Sequence, residues 1–206
     1  MKKFHYLDII ITSLFTIFAV FQGQLTIFYI LYLFWWQEVA LTVVDLFIVL
    51  KKKNSAVSTL MILKQVYANF FLLSVYFVFI VVLFGLFINF GNGEILAKNI
   101  RIFFFRNIYF NANVLIFTSY YIYIKYKDLN KQGAAYTPIV PQAFSPRQIV
   151  LHVSLIFGAI MQSIGIQNFA FNSAIANVLA ILPFLLIKII FSKRISIKPN
   201  LSETTI

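Results

Sequence analysis

No cysteine occurs among the 206 residues, so disulfides, thiolate metal sites, iron–sulfur clusters and cysteine nucleophiles are excluded together. Histidine is nearly as scarce. His5 and His152 are too few for the His-rich centre of a membrane di-iron oxygenase, and no His-Glu-x-x-His zinc-protease pattern is present. Gly91-Asn-Gly and Phe157-Gly-Ala-Ile follow no strand, so neither makes a phosphate-binding loop. Charge is short at 11% of residues, with six Asp and Glu against 17 Lys and Arg. A soluble domain carries about 25% charged residues. Here 61% are apolar and mean hydropathy is +0.89, which leaves too little polar side chain to cover a globule in water. The same hydrophobicity excludes disorder. The chain reads as an integral membrane protein, and no cofactor or metal is implied.

A spanning helix needs about 20 mostly apolar residues at about 1.5 Å rise each. Six stretches qualify: 6–21, 25–50, 66–90, 108–124, 149–169 and 173–191. Their runs of Ile, Leu, Phe and Val do not alternate as the strands of a membrane β-barrel do. The fold class expected is therefore all-α, a polytopic transmembrane bundle forming one unit over 1–191, with a polar tail at 192–206. Lys2 and Lys3 before the first run resemble a signal peptide, but no small-x-small cleavage site follows, so a retained helix is expected.

Lysine and arginine set the orientation. With both termini cytoplasmic, Lys98, Arg101 and Arg106 lie outside and the other fourteen of the 17 basic residues lie inside. The net charge of +11 is then mainly a topology signal. The basic cytoplasmic face suits anionic lipid. Nucleic acid is not an expected partner, because no soluble domain presents the charge. The polar segment 125–148 contains Gly133, Pro138, Pro141 and Pro146, reads as the largest cytoplasmic loop, and is the expected place for a protein partner. Residues 94–107 read either as an interfacial helix or as an outer extension of the fourth span.

An ionisable residue inside a span costs roughly 2.5–3.5 kcal/mol on insertion scales and requires a reason. Helical rise places Glu38 about 18 Å from the cytoplasmic end, with Asn113, Gln162 and Asn177 at about 17, 20 and 21 Å. Asp8, Asp45, His152 and Lys188 lie within about 8 Å of that end. Two polar layers are expected, one at mid-depth around Glu38 and one cytoplasmic. Glu38 and Asp45, seven apart, share a helix face. Glu38 reads either as an ion, proton or substrate contact or as a neutral acid bonded to a neighbouring helix. Asp45 either pairs with Lys188 or, on the simpler reading, reaches interfacial water while Lys188 snorkels. Asn113, Gln162 and Asn177 read as interhelical glue, His152 as a hydrogen-bonded interfacial histidine, Trp35 and Trp36 as packing residues, and Tyr120, Tyr121, Tyr123 and Tyr126 as interface anchors. Ser154 stands two residues from His152, on a different helix face, so a hydrolytic pairing would have to cross helices.

Trp35-Trp-Gln-Glu-Val resembles the aromatic-Trp-x-Glu-Asn motif of a prokaryotic domain-of-unknown-function family of short multi-pass membrane proteins. Phe70-Phe-Leu-Leu is similar to the start of that family's Phe-Phe-x-x-His-Tyr-Gly segment, and Arg147 through His152 and Gly158 to its Arg-x4-His-x5-Gly segment. Lys188 resembles the lysine near the end of the family's last span. Ser74, Val75 and Tyr76 stand where the family carries His-Tyr-Gly, Val39 replaces its asparagine, and Ser192 and Ser196 stand near its aspartate and histidine. The resemblance implies a membrane bundle, marks Glu38, Arg147, His152 and Lys188, and implies no activity. Three functional classes follow: a membrane subunit or scaffold, a small-solute or proton-linked transporter using Glu38, and a degenerate metal-dependent intramembrane enzyme.

Overall fold

The computed structural model describes residues 26–51, 59–132 and 145–163, together with 18, 141, 143, 183, 184 and 186. Among these residues every regular element is helical, with no strand. We number the helices α1 (Ile27–Lys51), α2 (Thr59–Val78), α3 (Gly93–Phe103), α4 (Ile108–Gln132) and α5 (Pro146–Ser163); α2 continues as a π-helical segment (Phe79–Leu86) and a 3₁₀ turn (Phe87–Asn89). Two helical stretches, Ile27–Lys51 and Ile62–Asn89, are long and apolar enough to cross a membrane. The expected spans 6–21 and 173–191 lie outside the described residues, apart from single positions.

Side chains start these helices in a consistent way. Thr26 Oγ1 accepts from the Tyr29 amide at 3.1 Å, Asn92 Oδ1 from Ile95 at 3.2 Å, Asn107 Oδ1 from Phe110 at 2.9 Å and Ser145 Oγ from Gln148 at 3.3 Å. Each satisfies an amide that the first turn leaves without a carbonyl, and Pro146 at the next position needs no such partner.

Helix α1 is the centre of the bundle and packs against α2, the π-helical segment, α3, α4 and α5. Every residue from Phe28 to Phe34 is buried, so this part of α1 is covered on all sides. The contacts fix directions. Val49 packs with Ile62 and Val66, and the Trp35 indole donates to the Leu73 carbonyl at 2.8 Å, so α1 and α2 are antiparallel. Tyr29 meets Phe110 edge-on at 5.5 Å, whereas Leu41 packs with Phe117 and Tyr121, so α1 and α4 run parallel. Asn69 meets Gln148 and Tyr76 meets His152, which makes α2 and α5 parallel. A Cβ added at Gly158 would stand 3.2 Å from both Leu31 Cδ1 and Phe84 Cε1, so α5 packs closely against α1 and the π-helical segment here.

Residues 94–107 are not an extension of the fourth span: α3 is a separate helix closed by a reversal. The Arg106 amide donates to the Arg101 carbonyl at 2.7 Å and the Phe105 amide to the Ile102 carbonyl at 3.0 Å, with Phe105 at φ 57°. These two bonds form the Schellman closure, whose left-handed position glycine usually fills. Phe105 is held there by its ring contacts with Trp36, at 5.2 Å, and Phe110, at 5.8 Å. Helix α3 also completes α2. Widening the helix to π geometry leaves carbonyls without an ordinary partner, and Asn99 Nδ2 donates to the Phe84 and Gly85 carbonyls at 3.2 and 3.1 Å.

The fourth helix runs to Gln132, beyond the expected end at 124, so the first third of the expected loop 125–148 is helical. Gly133 is the first glycine or proline after Ile124, and polarity alone does not end a helix. Its last turns carry Lys125, whose position decides the chemistry of the interior.

Candidate functional site

The polar residues of α1 fall on a line. Glu38, Thr42 and Asp45 stand at i, i+4 and i+7, so one face presents all three, and all three are buried, Glu38 at 4% and Asp45 at 2% exposure. About 10 Å of helix separates the two carboxylates. The Glu38 carboxylate thus turns into the bundle.

Asp45 does not reach interfacial water. Its Oδ1 lies 2.8 Å from Lys125 Nζ and accepts from the Tyr121 hydroxyl at 2.7 Å, and the side chains of the ion pair are only 2% and 7% exposed. Lys125 Nζ also lies 5.2 Å from the centroid of the Tyr121 ring. Tyr121 and Lys125 are four apart on α4 and so reach the same point of α1. This corrects the reading of Tyr121 as an interface anchor and of Lys125 as a loop charge. Spacing within one helix could not reveal the pair, since it depends on the parallel packing of α1 and α4. Lys188, the other partner considered for Asp45, lies outside the described residues, as do Asp8 and Asn177.

At mid-depth, Asn113 is fully buried on the α4 face that meets α1, beside the Tyr29 hydroxyl. Neither group completes a hydrogen bond of good geometry there, and the buried Thr42 and Ser154 hydroxyls likewise have no hydrogen-bond partner among the described residues. Arg147 and Gln162 lie on α5. His152 is at the exposed edge of α5, where its Nδ1 is 3.2 Å from the Tyr76 hydroxyl. Ser154 and His152 make no hydrogen bond to each other, so the structure assembles no serine–histidine couple. Among the described residues no three His, Asp or Glu side chains cluster as a metal site would require.

Sequence reasoning missed a second buried polar tie. The Gln148 amide donates to Asn69 Oδ1 at 3.0 Å, joining α5 to α2. Each helix carries two side-chain amides, Gln65 and Asn69 on α2 and Gln148 and Gln162 on α5, so composition does not say which of them meet. Trp35 and Trp36 pack in an aromatic cluster with Tyr32, Phe103, Phe105 and Phe110, and Tyr32 stacks on Phe110 at 5.3 Å.

Chemically, this interior can hold a balanced charge, fix helix positions and present hydroxyls and amides. Among the described residues, Ser154 Oγ has no hydrogen-bond partner and so no base bonded to it. The chain belongs to the family of unknown function DUF6498, which matches residues 2–202. No curated protein and no solved structure matches the chain.

Proposed function

We propose that the chain is a six-span protein of a bacterial inner membrane with both termini cytoplasmic, acting as a membrane subunit or scaffold. The bundle takes in spans 6–21, 25–50, 66–90, 108–124, 149–169 and 173–191, and 192–206 is a cytoplasmic tail. Two long apolar helices support a membrane setting. Charge supports the orientation: Lys51, Lys125, Lys127 and Lys131 gather at one end of the described bundle, while Lys98, Arg101 and Arg106 stand at the other. One observation carries the scaffold reading. The buried charges at Asp45 and Lys125 neutralise each other across two helices, an arrangement that fixes register. The basic cytoplasmic face meets anionic lipid, and the segment after α4 engages a protein partner.

Deletion of residues 133–140 is expected to abolish partner recovery by cross-linking in native membranes, with Glu38→Gln leaving it intact. Retained recovery after the deletion overturns the scaffold reading. The transporter reading is favoured by a different observation, the buried Thr42 and Asn113 groups near the depth of Glu38. It predicts proton-linked flux in liposomes that Glu38→Gln removes.

A further inference from the structure

We propose that Arg101 and Arg106 form a site for the phosphate of an anionic phospholipid, whose acyl chains lie along Phe104 and Ile108. The inference rests on the membrane reading above but not on which end faces the cytoplasm. Arginines at this end of the bundle require a reason, because among the described residues Lys51, Lys64, Lys125, Lys127 and Lys131 gather at the opposite end. Glu94 is the one acid between residues 46 and 127, and it is taken: Lys98 Nζ lies 2.7 Å from its carboxylate. Arg101 and Arg106 are both exposed, and neither has a carboxylate partner among the described residues. The reversal at Phe105 brings their backbones together, the Arg106 amide bonding the Arg101 carbonyl at 2.7 Å. The two arginine side chains therefore leave from adjacent backbone, and each guanidinium is able to hold phosphate oxygens in a bidentate fork.

What surrounds them selects a lipid over a free anion. Phe104 lies between the two arginines in the chain and Ile108 two residues after the second, and they are 62% and 74% exposed. Large apolar side chains beside uncommitted cations match the two ends of a phospholipid, and the outer face of α3 carries the same mixture, with Arg101 and Ile100 exposed while Asn99 and Ile102 are buried. The base is rigid, since Phe105 is locked against Trp36 and Asn99 ties α3 to the end of α2.

The test uses the two tryptophans, Trp35 and Trp36, which sit beneath this reversal. The full chain is reconstituted into phosphatidylcholine bilayers in which one component, phosphatidylglycerol or phosphatidylcholine, carries brominated acyl chains. At equal mole fraction, brominated phosphatidylglycerol is expected to occupy the site on the order of tenfold more than brominated phosphatidylcholine, as two basic groups near a surface imply. Arg101→Gln with Arg106→Gln brings the ratio to about one, and the two Lys replacements leave it between. Excess inorganic phosphate leaves it unchanged. Equal quenching in the unaltered chain, a preference surviving the double Gln replacement, or loss of preference to inorganic phosphate overturns the lipid site. A chain that does not incorporate into bilayers overturns the membrane reading as well, so the two failures are distinguishable.

Discussion

Lys125 Nζ lies 2.8 Å from Asp45 Oδ1 between two helices that run in the same direction. Parallel neighbours cannot be joined by a short hairpin, so α1 and α4 are held by side chains alone, across the intervening α2 and α3. Removing one member leaves a buried charge without compensation, at about 3–5 kcal/mol, whereas replacing both with apolar groups of similar volume is near neutral. Asp45→Leu and Lys125→Met are each expected to lower the unfolding temperature in detergent, and the double variant to recover most of the loss. Additive losses would remove the pair from the account.

Asn99 serves two carbonyls at the end of the π-helical segment. Asn99→Leu keeps the bulk but leaves them without these donors, although Asn89 Nδ2 still reaches the Phe84 carbonyl at 2.9 Å. The expected loss is about 1–3 kcal/mol. Amide exchange should rise in α3 and at the end of α2 while that of α4 is unchanged.

Gly158 sits where Leu31 and Phe84 press on α5. Alanine gains about 1 kcal/mol of helix propensity, which offsets the slight displacement of the Leu31 and Phe84 side chains, so Gly158→Ala is expected to be close to neutral. Gly158→Leu forces the helices apart and is expected to destabilise by about 1–3 kcal/mol. Thermal unfolding of the two variants side by side separates the effects.

The Glu94 carboxyl is held below its usual range, first by the hydrogen bond from Lys98 and then by that lysine's charge. A depressed carboxyl contributes its stabilisation above the unfolded-state value and loses it as pH falls through the folded-state value. The first turn of α3 is therefore expected to fray in acid, below the ordinary carboxylate range, with Glu94→Gln removing that pH dependence. Intrinsic-rate-corrected amide exchange near Leu96 and Ala97 measures it.

Much of this fold is legible in the sequence because hydrophobic runs of spanning length have few alternatives: the expected start at 108 and the run beginning at 25 agree closely with α4 and α1. The caps were not singled out in the sequence, although Thr26, Asn92, Asn107 and Ser145 are residue types that accept first-turn amides. The π-helical segment was not legible, since Phe79–Leu86 is uniformly apolar and its geometry is supported by Asn99 from another helix. Nor was the partner of Asp45. Depth along a helix is readable by counting residues, but which helices touch is not, so Lys125 looked like one more cytoplasmic lysine. Glu38 was legible as an acid needing cover, and it is buried.

The absence of cysteine makes the most direct test a clean one. Single cysteines at Ala97 and Lys127, both exposed and at opposite ends of the bundle, are treated in intact cells with a membrane-impermeant maleimide. Labelling of position 97 in intact cells, with position 127 reacting only after lysis, is the result expected of a membrane bundle with its lysine-rich end inside. Labelling of position 127 in intact cells, or of neither position until lysis, contradicts it.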